Sequence, residues 1–231
     1  MWEGEIPLPI VPPWTEISVV AGLDESVLRS TCRRRHFARG EVIFHEGDPA
    51  GAIHLVDRGR AAISLTGPLG DVVTVEILQR GDTFGEQALV DRAAVRSATV
   101  TALDKLETLA MDIATAERLR AENPGFDRFL LTILSVRLRA TNQQLLEALY
   151  LPAEVRVFRC LCRLAAIFEA DSRVCIPLTQ HDIGTMTGVN RSTVSRLLRQ
   201  AQLEGIVLVT RSRLEVRDPE MLRRRARLRP A

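Results

Sequence analysis

Between Arg35 and Met111 the chain breaks into short apolar runs punctuated by Gly40, Gly47, Gly59, Gly67, Gly70 and Gly81. The runs are Glu41 to Phe44, Ile53 to Val56, Ala61 to Leu65, Val72 to Leu78, Ala98 to Ala102 and Leu106 to Ala110. They are short and rich in β-branched residues, so they read as strands rather than helices. Many short strands joined by glycine turns predict a sandwich or a jelly roll.

The flanks change period. Asp24 to Cys32 is helical in pattern, with Asp24 as cap and Leu23, Val27 and Leu28 on one side. Ile113 to Glu122 forms another helix, stopped at Asn123-Pro124-Gly125. A longer helix runs from Phe126 to Tyr150, with a seam at Leu131, Leu134, Leu138, Thr141, Leu145 and Ala148. Alternating spacings of three and four make a heptad seam, which predicts a two-stranded parallel coil between protomers. A single amphipathic helix packed on the barrel is the alternative.

Pro152 suits the first turn of the next helix, Glu154 to Ala170. Thr179 then caps Gln180 to Thr187, Gly188-Val189 turns the chain, and Asn190 caps Arg191 to Arg199. Ile206 to Val209 and Arg213 to Val216 flank Thr210-Arg211-Ser212 as a hairpin. This is a winged helix-turn-helix by pattern. The fold expected is α+β: an irregular Pro-rich segment over residues 1–14, a jelly roll over 15–125, a dimerisation helix over 126–151, and a winged helix-turn-helix with a basic tail over 152–231.

Charge separates the two halves. Residues 1–151 hold 16 basic and 21 acidic groups, whereas 152–231 hold 15 arginines, no lysine and 8 acidic groups. The basic half is the one suited to a polyanion. The run Arg223-Arg224-Arg225-Ala226-Arg227-Leu228-Arg229 reads either as a plain solvated charge run or as one that adds salt-dependent, non-specific DNA affinity. Cys32, Cys160, Cys162 and Cys175 show no metal spacing and are expected as buried reduced thiols. There is no apolar run of membrane length and no signal peptide, so a cytoplasmic protein is expected. Neither a nucleophile–base constellation nor a metal set is present, which points away from an enzyme. An iron–sulfur sensor lacks its N-terminal cysteine cluster, and no histidine or cysteine stands out as a haem ligand.

One cassette names a ligand: Gly81-Asp82-Thr83-Phe84-Gly85-Glu86-Gln87-Ala88-Leu89, followed by Arg96-Ser97-Ala98. Gly85 lets the backbone approach a ligand closely. Residues Glu86 to Leu89 suit a short helical turn, whose first N–H groups favour an anion. Arg96 offers a planar fork for phosphate oxygens, and Ser97 adds a hydroxyl donor. Ionised Glu86 only accepts, so it suits a sugar hydroxyl. The same residues also suit a barrel rim where Glu86 and Arg96 merely pair.

The cassette resembles the phosphate-binding cassette of cyclic-nucleotide-binding domains. The runs Gly40-Glu41-x-Ile43-x-x-Glu46-Gly47-Asp48 and Val56-x-x-Gly59 resemble the same family. Thr179 to Leu198 resembles the DNA-binding domain of the cyclic-AMP receptor protein / FNR superfamily. The resemblance implies that Gly85, Glu86, Gln87, Ala88, Arg96 and Ser97 hold ribose and cyclic phosphate. It places Arg137 near the phosphate and Glu86, a surface ion pair being the plainer reading. It sets Thr141 and Asn142 at the purine, and Asn142 departs from the Thr-Ser pair common in enteric receptors. An amide still donates and accepts to an adenine edge, so cAMP is the expected effector ahead of cGMP.

For DNA, the resemblance puts the second helix of the motif in the major groove. Arg191 and Arg196 are expected at guanines, and Thr179, Gln180, Thr193 and Ser195 at phosphates, beside the cap Asn190. Ser192 stands where many relatives carry a glutamate, so the operator is expected to differ or relax there. The implied whole is a homodimeric, cyclic-nucleotide-responsive regulator that binds a double-stranded operator and RNA polymerase, with no membrane partner. The rivals are a regulator of the same fold that is nucleotide-independent or uses another effector, and a largely non-specific DNA-binding protein.

Overall fold

The computed structural model describes residues 11–67, 70–89, 95–170, 173–210 and 213–228. Two short helices open it, α1 (Trp14–Ala21) and α2 (Glu25–Thr31). Strands β1 (Arg33–Phe37), β2 (Val42–Phe44), β3 (Ala52–Arg58), β4 (Ala61–Thr66), β5 (Val72–Leu78) and β6 (Thr83–Phe84) follow. A 3-10 turn (Glu86–Leu89), β7 (Thr99–Ala102) and β8 (Leu106–Asp112) complete the roll. The strands form two antiparallel sheets, ordered β1-β8-β3-β6 and β2-β7-β4-β5.

Alternation along β3 builds two cores at once. Val56 joins Phe37, Ile63, Leu78, Phe84, Val100 and Leu106 between the sheets. Ile53 and Leu55 join Leu109 and Met111 on the other face, against a layer of helices. That layer comprises α1, α2, α3 (Ile113–Glu122) and the first half of α4 (Gly125–Tyr150), through Trp14, Leu28, Leu119, Phe129 and Ile133 among others. Trp14 is buried, and its indole N–H donates to Val56 O at 3.1 Å. Residues 1–10 of the Pro-rich segment lie outside the described residues, and α1 begins at Trp14.

The chain forms two compact units, one ending at Ala140 and the other starting at Thr141, within α4. In the roll unit α4 buries Phe126, Phe129, Leu130, Ile133 and Val136. The expected seam is a different face: Leu131, Leu138 and Leu145 are 64%, 61% and 56% exposed.

In the second unit, α4 is followed by α5 (Ala153–Phe168), β9 (Glu169–Ala170), β10 (Arg173–Ile176), α6 (Gln180–Thr187), α7 (Arg191–Leu203), β11 (Val207–Val209), β12 (Leu214–Val216) and α8 (Pro219–Arg225). The strands pair antiparallel in the order β11-β12-β10-β9. Arg211 and Ser212 of the hairpin lie outside the described residues. The end of α4 is tied to α5 by a buried carboxylate. Glu147 accepts from Arg159 Nε at 2.8 Å and from Arg163 Nη1 at 2.9 Å, and Glu147 and Arg159 are both buried.

Two expectations are corrected here. Much of the arginine-rich run is not a solvated tail. Leu222 and Ala226 are buried, and Arg225 lies over Phe158 while pairing with Glu154 at 3.0 Å and Glu204 at 3.2 Å. Helix α8 and its C-cap therefore pack through the apolar positions that flank Arg223 to Arg225; Arg229 lies outside the described residues. Nor are all four cysteines buried. Cys175 is exposed because β10 alternates, turning Val174 and Ile176 inward.

Candidate functional site

The cassette surrounds a cavity of about 260 Å³ in the roll unit. Gly85, Glu86, Gln87, Arg96 and Ser97 line it, with Phe44, Ile63, Leu65, Glu76, Phe84 and Arg137 among the other walls. Backbone bonds fix the stem of Arg96: its N–H donates to Asp48 O and its carbonyl accepts from Gly47 N–H, both at 2.8 Å. The side chain is buried, its Nη1 donating to Ala52 O at 2.9 Å and its guanidinium carbon 3.9 Å from the centre of the Phe44 ring. Arg96 Nε is buried without a hydrogen-bond partner. Burial holds Arg96 below its ordinary guanidinium value, and the charges of Asp48 and Glu86 oppose that shift.

Glu86 is also buried, and its ion-pair partner is Arg137. Arg137 Nη1 donates to the two Glu86 oxygens at 3.0 and 3.1 Å, and Nη2 donates to Glu76 at 2.9 Å. Burial alone would lower the Arg137 pKa; the charges and bonds of Glu86 and Glu76 outweigh it and raise the value. The barrel-rim alternative, with Glu86 and Arg96 paired, is not what forms. Arg96 is left as the cavity guanidinium with no carboxylate in salt-bridge contact among the described residues. Ser97 and Gln87 are exposed cavity walls. Ala88 sits in the 3-10 turn, and its side chain lies outside the described residues. Thr141 and Asn142 are exposed on α4 in the second unit, so this cavity is built without them.

Glu76 is a charged wall residue that sequence reasoning missed. Its only signal was a carboxylate inside the apolar run Val72 to Leu78.

In the second unit α6 and α7 form the expected pair. Thr179 closes a capping box with Asp182, and Gly188 turns the chain at φ +62°. The turn folds back so closely on α6 at Gly184 that an added Cβ would lie 2.8 Å from Val189 O, a second requirement the sequence reading missed. Val194 and Leu197 face inward, leaving Arg191, Ser192 and Arg196 exposed, with Thr193 and Ser195 half-buried. Asn190 is employed as the cap: its Oδ1 accepts from Thr193 N–H and Ser192 Oγ, both at 2.8 Å. The Ser192 hydroxyl donor is thereby engaged locally. Thr179, Gln180 and Arg191 line a recess of about 400 Å³ with Thr210 and Arg213 of the hairpin. Thr210 and Arg213 were not singled out in sequence; their signal was the hairpin itself.

A cyclic nucleotide-binding domain profile matches residues 34–123, and a Crp-like helix-turn-helix domain profile matches residues 155–225. The chain is 30% identical to the cyclic AMP receptor protein of Thermus thermophilus, over 82% of this chain and 86% of that one. The chain belongs to the CRP/FNR family of transcription regulators. Another CRP/FNR relative is the CRP-like cAMP-activated global transcriptional regulator of Mycobacterium tuberculosis, 29% identical over 83% of this chain and 87% of its own. Among solved structures, a CRP/FNR-family transcriptional regulator of Thermus thermophilus shares the fold at TM-score 0.72 and 19% identity, covering 86% of this chain and 100% of that chain. The roll thus corresponds to the nucleotide-binding part of a CRP/FNR regulator, and the second unit holds its DNA-binding part.

Proposed function

We propose that this chain is a cAMP-responsive, sequence-specific DNA-binding regulator that works as a homodimer in the cytoplasm and acts on RNA polymerase at its promoters. The observation that carries the reading is Arg96, a buried guanidinium with an unpartnered Nε in a cavity that also holds Glu86. A single phosphate satisfies Arg96 and Ser97, and the ribose hydroxyl donates to Glu86. Arg137 is already matched by two carboxylates, so among the described residues Arg96 is the cavity guanidinium with no carboxylate in salt-bridge contact. That suits a cyclic mononucleotide better than a ligand with two phosphates.

The exposed seam of α4 takes a second copy, and Thr141 and Asn142 on that helix take the adenine. Nucleotide contacts that exist in only one arrangement of the helix pair shift the population towards it, and the recognition helices then meet half-sites about one turn of DNA apart. Arg191 and Arg196 read guanines, and the hairpin residues Thr210 and Arg213 touch the backbone beside Thr179 and Gln180.

Calorimetric titration with cAMP and cGMP tests the input, with operator affinity measured at both extremes. The expected result is tighter binding of cAMP, lost by about a hundredfold in Arg96→Leu, a charge-assisted contact being worth about 1.5–3 kcal/mol. Operator affinity that is equal with and without nucleotide would refute the coupling. Loss of nucleotide in Arg96→Leu with unchanged DNA affinity would favour the nucleotide-independent rival.

A further inference from the structure

One carboxylate of the cavity has no task in the phosphate-and-ribose reading. Glu76 stands on β5 opposite Ile63 of β4, and both line the cavity with Leu65. Its Oε2 accepts from Arg137 Nη2, Oε1 has no hydrogen-bond partner among the described residues, and the side chain is 40% exposed. Its place relative to the phosphate follows from charge and connectivity. Arg96 Nη1 also donates to Gly85 O at 3.4 Å, next to Glu86. Arg137 reaches from Glu86 to Glu76 with its two terminal nitrogens. Arg96, Glu86 and Glu76 therefore follow one another around the cavity.

A nucleotide presents phosphate, sugar and base in the same succession. With phosphate on Arg96 and ribose on Glu86, the wall left for the base is the apolar β4–β5 face, and Glu76 is its polar group. We propose that Glu76 selects the base by accepting a hydrogen bond from the exocyclic amine of adenine. This rests on the cyclic-nucleotide reading above. An ionised carboxylate only accepts. Adenine carries an amine at its six-position; guanine carries a carbonyl there, which would set two acceptors face to face, and keeps its own donors, N1–H and the two-position amine, on the adjoining edge. The engaged Oε2 leaves Oε1 for one donor.

The test is calorimetric binding of cAMP, cGMP and purine riboside 3′,5′-cyclic monophosphate, which lacks the amine, to the full-length protein and to Glu76→Ala and Glu76→Gln. In Glu76→Ala the affinity for cAMP is expected to fall about tenfold, while that for the purine riboside analogue stays within about twofold. Glu76→Gln keeps an acceptor oxygen and similar bulk, so it is expected to retain most of the cAMP preference. It also keeps the test available should Glu76→Ala disturb Arg137. An unchanged ratio of cAMP to analogue in Glu76→Ala overturns the inference. So does equal weakening of both ligands, which would make Glu76 only an anchor for Arg137. A full-length protein that binds none of the three overturns the nucleotide reading itself and this inference with it.

Discussion

At Gly85 the backbone has φ +79°, and an added Cβ would lie 2.5 Å from Arg96 Nη1 and 2.8 Å from Ala52 O. The first fact disfavours any L side chain, and the second removes the room in which Arg96 is held. Gly85→Ala is expected to cost about 1–3 kcal/mol and to displace the guanidinium. Paired thermal unfolding and nucleotide titration check this. A variant that unfolds and binds like the parent would show that the crowding is relieved elsewhere. His54 makes a second prediction. It is buried, stacks on Phe84 with ring centres 4.8 Å apart, and its Nδ1 lies 3.0 Å from Thr108 Oγ1. Its pKa is lowered to about 3, first by burial and then by the charges of Arg96 and Arg35. The unfolded chain takes up this proton near pH 6.5, whereas the folded chain refuses it until about pH 3. Stability therefore falls as pH drops below about 6.5, by about 2 kcal/mol from this group at pH 5. The loss between pH 7 and pH 5 should be smaller by about that amount in His54→Phe, as denaturant unfolding at the two values would show.

Elements with local punctuation were legible in sequence, and elements defined by what they pack against were not. Helices α6 and α7 carry their own starts, Thr179 and Asn190, and begin where those caps place them. The short helix α1 has no side-chain cap and is held by Trp14 and Ile17 in a core drawn from distant strands. Strand β1, Arg-Arg-Arg-His-Phe, hides its nature because its first four side chains are exposed and only Phe37 is buried. Helix α8 reads as charge because its apolar contacts, Leu222 and Ala226, sit on either side of three consecutive arginines. In the cavity, Arg96 and Glu86 were announced by glycine-bounded spacing. Glu76 was not, because only the pairing of β4 with β5 brings it to the wall. Two element-scale outcomes follow. Asn190→Ala should destabilise the protein by about 1 kcal/mol. It should also weaken operator binding, through a frayed start to α7 that leaves nucleotide affinity unchanged. Leu138→Glu changes a residue exposed in the protomer, so protomer stability should move by less than about 0.5 kcal/mol. Sedimentation should nonetheless report a shift from dimer to monomer; an unchanged mass would remove α4 from the proposed subunit contact.

For the molecule as a whole, input and output are bound by reciprocity. If nucleotide raises operator affinity by some factor, operator must raise nucleotide affinity by the same factor. Titrating cAMP into the protein with and without operator DNA is expected to give matching ratios, and a mismatch would mean that a further equilibrium, such as subunit association, intervenes. The acidic roll and the basic second unit also divide the salt response. DNA binding should weaken steeply with salt as arginines displace counterions, whereas nucleotide binding, on the proposed phosphate contact to the buried Arg96, should be far less screened. The buried Glu147 has a consequence for how the DNA-reading half can be excised. A fragment begun at Pro152 would keep Arg159 and Arg163 and discard the carboxylate they share, breaking a buried ion pair. Autonomy of that half requires the last turns of α4, from Thr141 onward, as part of its own inheritance.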